Sequence, residues 1–190
     1  ILLTTPVCRE IKRQNPKAGL TFLAHPMGRL ILNDNPYVDE CFYYDPGSLW
    51  QELKLARALG HRKFDAAIDF MNNPRSGFYT FASRAHERVS WQSKRHFFYN
   101  LVIPKPDRPH YIVHEKFHLL EAIGYQPKNT LPVLPWHEPD LKPLTEFWDT
   151  HGEVRGRPMT VVLSPTHRHP VRRWPLEAYA KLAEKLVTEW

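Results

Sequence analysis

Met159-Thr160-Val161-Val162-Leu163-Ser164-Pro165-Thr166-His167-Arg168-His169-Pro170-Val171-Arg172-Arg173-Trp174-Pro175-Leu176-Glu177 reads as a strand, a basic loop and the opening of a helix. Met159 to Leu163 is a β-branched apolar run of strand length. Downstream, Tyr179, Leu182, Ala183, Leu186, Val187 and Trp190 recur at helical spacing and form one apolar stripe. Pro175 suits a first helical position, where its missing N–H costs nothing, and Glu177 suits the positive end of the helix dipole. His167 to Arg173 carries three Arg and two His with no acid. A loop of that charge, feeding a helix whose first N–H groups lack partners, fits an anion, and a phosphate above all. Such a loop is also compatible with a plain solvated surface, since strand-loop-helix units occur throughout α/β proteins.

Upstream, the same alternation repeats. A helix is expected over residues 1–14, with Leu3, Val7 and Ile11 on one face and Asn15-Pro16 as its stop. Strands are expected over 19–24, 38–44 and 64–71, with shorter ones at 88–91 and 99–103. Helices are expected over 27–32, 49–59 (closed by Gly60), 78–85, 111–123 (capped by Gly124) and 144–150. Strands and helices in this rhythm predict an α/β fold built on a mostly parallel, doubly wound sheet. Five prolines between Gln126 and Pro143 mark a domain connection. The expected division is therefore a first domain over 1–135, a connection over 136–157, and the first strand-loop-helix of a second domain over 158–190. The helix at the very start and the helix in full register at Trp190 read as cuts through a longer protein.

Composition narrows the classes. With 190 residues, 42% hydrophobic and 13% aromatic, the chain can bury a core, so it is neither disordered nor a disulfide scaffold. Cys8 and Cys41 lack CxxC spacing and fit a reducing compartment. No apolar run approaches the roughly 18 residues of a spanning helix, and no signal-peptide pattern is present, so a cytoplasmic location is expected. A net charge of +6 favours anionic partners. Nucleic acid is not among those expected: no RNP, zinc-finger or helix-turn-helix pattern is present, and the charge does not gather into one stripe.

The run SPTHRHPVRRWPLEAYAKLAEKLV resembles the start of the second domain of ADP-heptose:lipopolysaccharide heptosyltransferases, and ILLTTPVCREIKRQNPKAGLTFLAHP resembles that family's N-terminal segment. The resemblance covers nearly the whole chain. It implies the GT-B arrangement, two Rossmann-like domains of which the second is only partly present, and transfer of a heptose from ADP-heptose to the lipopolysaccharide inner core. Such transfer needs a base for the acceptor hydroxyl and positive charge for the departing diphosphate, and no cofactor or metal. The family's base is an Asp of a Gly-Asp pair, which would precede Ile1. The sequence by itself is thus expected to be inactive.

On the donor side the resemblance implies Ser164 and Thr166 as hydroxyl donors and Arg172 as the main cation, with Arg168 and Arg173 secondary; guanidinium suits phosphate oxygens. Trp174 reads as packing. On the acceptor side it implies Thr4, Thr5, Asn72, Arg75 and His114. Thr4 and Thr5 are equally readable as a helix cap, and Arg75 as a surface residue. His25 is a weaker candidate at another strand end. Because the family's acceptor is lipid-anchored, contact with the inner-membrane surface is expected, with Trp91 to Phe98 (WQSKRHFF) offering charge and aromatic rings.

One motif points elsewhere. His114-Glu115-Lys116-Phe117-His118 satisfies H-E-x-x-H, the zinc-peptidase pattern, making a zinc metallopeptidase the alternative function. Its extended form fails, because Glu121 and Gly124 stand where Gly and His are required, and Glu138 is a distant third ligand at best. At helical spacing Val113, Phe117 and Leu120 mark the buried stripe, which leaves both histidines on its polar flank.

Overall fold

The computed structural model describes residues 1–44, 47–108, 110–135, 141–150, 161–167 and 170–189. The chain forms two compact units, Ile1–Trp136 and His137–Trp190.

The first unit holds all five described strands, β1 (Thr21–Ala24), β2 (Glu40–Tyr43), β3 (Ala66–Asp69), β4 (Glu87–Trp91) and β5 (Leu101–Ile103). Every pairing is parallel, as the alternation predicts, but the strands form two sheets, β1-β2 and β3-β4-β5, where one was expected. Leu23 and Phe42 of the first sheet, with Tyr44 just after β2, share a core with Ala56, Leu59, Phe64, Phe78 and Tyr79. Short strands of this kind are stabilised by packing on both faces more than by their few ladder bonds.

Around the sheets lie α1 (Thr5–Gln14), α2 (Arg29–Leu32), α3 (Leu49–His61), α4 (Pro74–Ala82) and α5 (Ile112–Glu121). Asn15 and Pro16 end α1, as expected. Helix α5 is the hub of the core. Val113, Phe117 and Leu120, all buried, face Val7 of α1, while Leu119 reaches Val89 and Trp91 in the second sheet. The i, i+4, i+7 stripe read from sequence is the one the helix buries.

Two helices depart from expectation. Gly60 does not close α3, which runs on to His61. A Cβ at Gly60 would lie 2.9 Å from the Ala82 carbonyl oxygen, so this glycine permits close approach of α3 and α4. Helix α4 begins at Pro74, four residues before the expected Phe78. Asn73 and Ser76 form a reciprocal capping box, and Pro74 takes the first helical position.

The second unit contains α6 (Lys142–Thr150) and α7 (Leu176–Glu189). The strand expected over 159–163 is not formed at 161–163, and Met159 and Thr160 lie outside the described residues. A strand needs a neighbour for its ladder, and this unit offers none among its described residues. Helix α7 matches the predicted periodicity, with its first residue at Leu176 instead of Pro175. Its stripe is partly covered at Tyr179, Leu182, Ala183 and Leu186, whereas Val187 is exposed.

Candidate functional site

In the second unit, the described part of the basic loop is stapled to α7. The Tyr179 hydroxyl donates to the Ser164 carbonyl at 3.1 Å, and Trp174 packs edge-on against Tyr179 with ring centroids 4.9 Å apart. Pro170–Arg172 form a single helical turn, followed by Arg173, whose Nε donates to the His167 carbonyl at 2.6 Å. Arg173 thus braces the loop. Arg172 is exposed and has no hydrogen bond or ion pair among the described residues. Ser164 and Thr166 are exposed beside it in sequence, and Arg168 lies outside the described residues.

In the first unit, the C-terminal edge of β3 is a rigid turn organised by Asp69. Its Oδ1 accepts from the Met71 and Asn72 N–H groups at 2.8 and 3.0 Å, and its Oδ2 accepts from the Tyr99 hydroxyl at 2.7 Å. Asn72 sits at φ +48°, which asparagine tolerates better than most residues. Its side-chain amide donates to the Trp91 carbonyl and accepts from the Ser93 hydroxyl at 2.8 Å, while Arg95 donates twice to its carbonyl. Asn72 therefore braces the turn, with one amide N–H and the amide oxygen engaged inside the protein. Thr5, another buried candidate on the acceptor side, is likewise engaged. It is fully buried, its hydroxyl donating to the Leu2 carbonyl at 2.8 Å and accepting from the Val133 N–H at 2.7 Å. Thr4 occupies the cap position of α1 but makes no side-chain cap bond.

Arg75, exposed on the first turn of α4, forms an ion pair with Glu52 of α3, its Nε 2.9 Å from a carboxylate oxygen, and lies over the Tyr44 ring at 5.3 Å. Its charge is thus already matched. Sequence reasoning missed Glu52, which reads as an ordinary first-turn acid of α3, and Tyr79, which reads as core. Burial, with the Glu52 carboxylate second, pushes the Tyr79 phenol up to about 12.

His114 and His118 are exposed on the polar flank of α5, where His118 Nδ1 lies 3.1 Å from Glu121. They line a shallow groove with His110, Phe117, Pro127 and Lys128. No group of three or more His, Cys, Asp or Glu side chains among the described residues is arranged to hold a metal, and Glu138 lies outside them. Next to them, burial lowers the Lys116 ammonium from its ordinary value, and its Nζ lies 4.6 Å from the Phe70 ring centroid. The WQSKRHFF run also divides by burial. Trp91 belongs to the core and Arg95 is bonded to Asn72, which leaves Gln92, Lys94, His96 and Phe97 on the surface.

The sequence model of glycosyltransferase family 9 (heptosyltransferase) matches residues 52–189. The chain belongs to this family. Among relatives of glycosyltransferase family 9, lipooligosaccharide heptosyltransferase 2 of Haemophilus ducreyi is 23% identical over 98% of this chain and 57% of its own length. Two solved structures share the fold. The family 9 glycosyltransferase of Veillonella parvula superposes with a TM-score of 0.76 at 21% identity, over 97% of this chain and 56% of that one. The E. coli ADP-heptose LPS heptosyltransferase II gives a TM-score of 0.68 at 20% identity, over 99% of this chain and 58% of that one. This chain therefore spans a little over half the length of the family 9 proteins it matches, and the expected GT-B-like α/β fold class is the one it shares with them.

Proposed function

We propose that the protein takes part in transfer of a heptose from ADP-heptose to the inner core of lipopolysaccharide, and that the loop Ser164 to Arg173 holds the donor diphosphate. The observation that carries this is Arg172, an exposed guanidinium without a partner among the described residues, on the turn leading into α7, in a chain of family 9. Departure of the diphosphate builds negative charge on its oxygens, and an exposed guanidinium with no hydrogen bond or ion pair among the described residues is suited to meet it. Ser164 and Thr166 add hydroxyl donors, Arg173 keeps the loop in place, and Arg168 belongs to the same loop. Residues 1–135 form the acceptor-side domain on this proposal, with Thr4, Arg75 and His114 as its contacts, and the residues from 158 onward open the nucleotide-sugar domain.

Arg172→Ala in the full-length protein is expected to weaken ADP binding about tenfold by calorimetry, the loss of one charge-assisted contact. Unchanged ADP affinity in the variant would remove the loop from the diphosphate. No binding of ADP by the wild-type protein would defeat the proposal altogether.

Peripheral contact with the inner-membrane surface belongs to the same proposal, with exposed Lys94 and Phe97 at its centre. Lys94→Glu is expected to reduce co-sedimentation with anionic vesicles about fivefold, since a basic residue near such a surface contributes about 1 kcal/mol. Equal sedimentation of variant and wild type would place the contact elsewhere.

A further inference from the structure

Five side chains meet at the C-terminal edge of the β1-β2 sheet. His25 and Tyr44 directly follow the two strands, Glu52 lies in the first turn of α3, and Arg75 and Tyr79 are one turn apart on α4. Tyr44 is the centre, with ring centroids 5.7 Å from His25 and 6.4 Å from Tyr79, and the Arg75 guanidinium over its ring at 5.3 Å. Strand C-termini are where open parallel sheets collect ligands.

Tyr79 separates this cluster from an ordinary surface ion pair. The residue is 2% exposed, yet its hydroxyl has no hydrogen-bond partner among the described residues. Native interiors rarely leave such a group unmatched without a reason. The phenol stays protonated at neutral pH, so the hydroxyl is a donor in waiting beside Glu52, Arg75 and Tyr44. Two further donors stand beside it. Arg75 pairs with Glu52 through Nε and makes no hydrogen bond among the described residues, and His25 accepts from the Met27 N–H at its Nδ1, which puts the ring proton on Nε2.

The charge balance selects the ligand class. The one guanidinium is matched 2.9 Å away by the Glu52 carboxylate, which would repel an anion brought to Arg75. A planar acceptor beside a planar donor instead matches two adjacent hydroxyls, and Tyr44 supplies apolar surface for a ring. We infer that His25, Tyr44, Glu52, Arg75 and Tyr79 form a saccharide subsite for an uncharged vicinal diol of the acceptor. Arg75 is exposed and lies over the ring of Tyr44, the neighbour of Tyr79. A ligand hydroxyl that draws the guanidinium outward gives the Tyr79 hydroxyl its partner, a side-chain rearrangement of ordinary size on binding. The inference rests on the transferase reading and adds to it the chemistry of one acceptor contact.

Steady-state transfer by the full-length protein, with acceptor and donor varied in turn, tests it through Tyr79→Phe and Glu52→Gln. Each is expected to raise the acceptor KM about fivefold to tenfold, the loss of one hydrogen bond to the ligand, with the donor KM unchanged. Tyr79→Phe should melt no lower than wild type, because the hydroxyl it removes bonds nothing in the free protein. An unchanged acceptor KM for Tyr79→Phe would make the buried hydroxyl a simple packing defect and overturn the subsite. A lowered acceptor KM for Glu52→Gln, with binding that falls steeply as salt rises, would make it an anion site and overturn the diol. Wild-type protein that neither binds ADP nor transfers sugar removes the transferase reading itself, and the inference with it, before any variant is compared.

Discussion

Asp69→Ala is expected to destabilise the protein by about 3 to 4 kcal/mol, the combined effect of several buried donors losing one acceptor. The carboxylate accepts from two backbone N–H groups and one tyrosine hydroxyl, and both Asp69 and Tyr99 are nearly inaccessible to water. Alanine leaves the Met71 and Asn72 N–H groups unpaired in a turn that already holds Asn72 at positive φ, and leaves the Tyr99 hydroxyl without its acceptor. Each stranded donor costs about 1 to 3 kcal/mol, and the total is less than the sum because the turn relaxes. Asp69→Asn should cost only about 1 to 2 kcal/mol, since its amide oxygen retains both backbone bonds and only the tyrosine contact is disturbed. Urea denaturation of the three proteins checks the order. An alanine variant within about 1 kcal/mol of wild type would mean that water replaces the carboxylate, and that the turn is less dependent on Asp69 than its bonding implies.

That turn also illustrates what could be read from the chain. The stripe of α5 was legible because Val113, Phe117 and Leu120 are spaced by the helix itself, and burial followed from spacing. The start of α4 was hidden because Asn72-Asn73-Pro74-Arg75 has the composition of a loop, and a serine at the third helical position is a weaker capping signal than glutamate. Pro74 was the available clue. The reading of Gly60 as a helix stop failed for a different reason: the Ala82 carbonyl that requires a glycine there belongs to another helix, and no local pattern reports it. The candidate sites divide along the same line. The basic loop before α7 was visible as a run of like charges, whereas the Glu52 that neutralises Arg75 lies 23 residues away in sequence, on the neighbouring helix. Tertiary contact alone turned Arg75 from a free cation into half of a matched pair.

Alkaline pH is expected to erode stability from about pH 9 upward, chiefly through Cys8. The thiol is 2% exposed at the start of α1, and burial pushes it from 9.0 to about 12. The folded state holds the thiol proton more tightly than the unfolded chain does. Its contribution is therefore fully present below the unfolded value and is lost as pH climbs from 9 toward 12, where the unfolded thiol ionises and the folded one does not. By pH 11 the difference amounts to about 2 to 3 kcal/mol, at 1.36 kcal/mol for each unit by which the unfolded thiol has passed its midpoint. Tyr99 acts in the same direction, its phenol raised by burial and by the Asp69 carboxylate that accepts its hydrogen bond. Cys8→Ala separates the two. The variant should be less stable than wild type at pH 8, where only packing is lost, yet lose about 2 kcal/mol less between pH 8 and pH 11, because the thiol term is gone. Parallel stability curves for the two proteins across that range would show that the Cys8 thiol is not held above its ordinary value. Native protein at pH 8 should also resist alkylation at Cys8, since the reactive thiolate is populated only when the start of α1 opens.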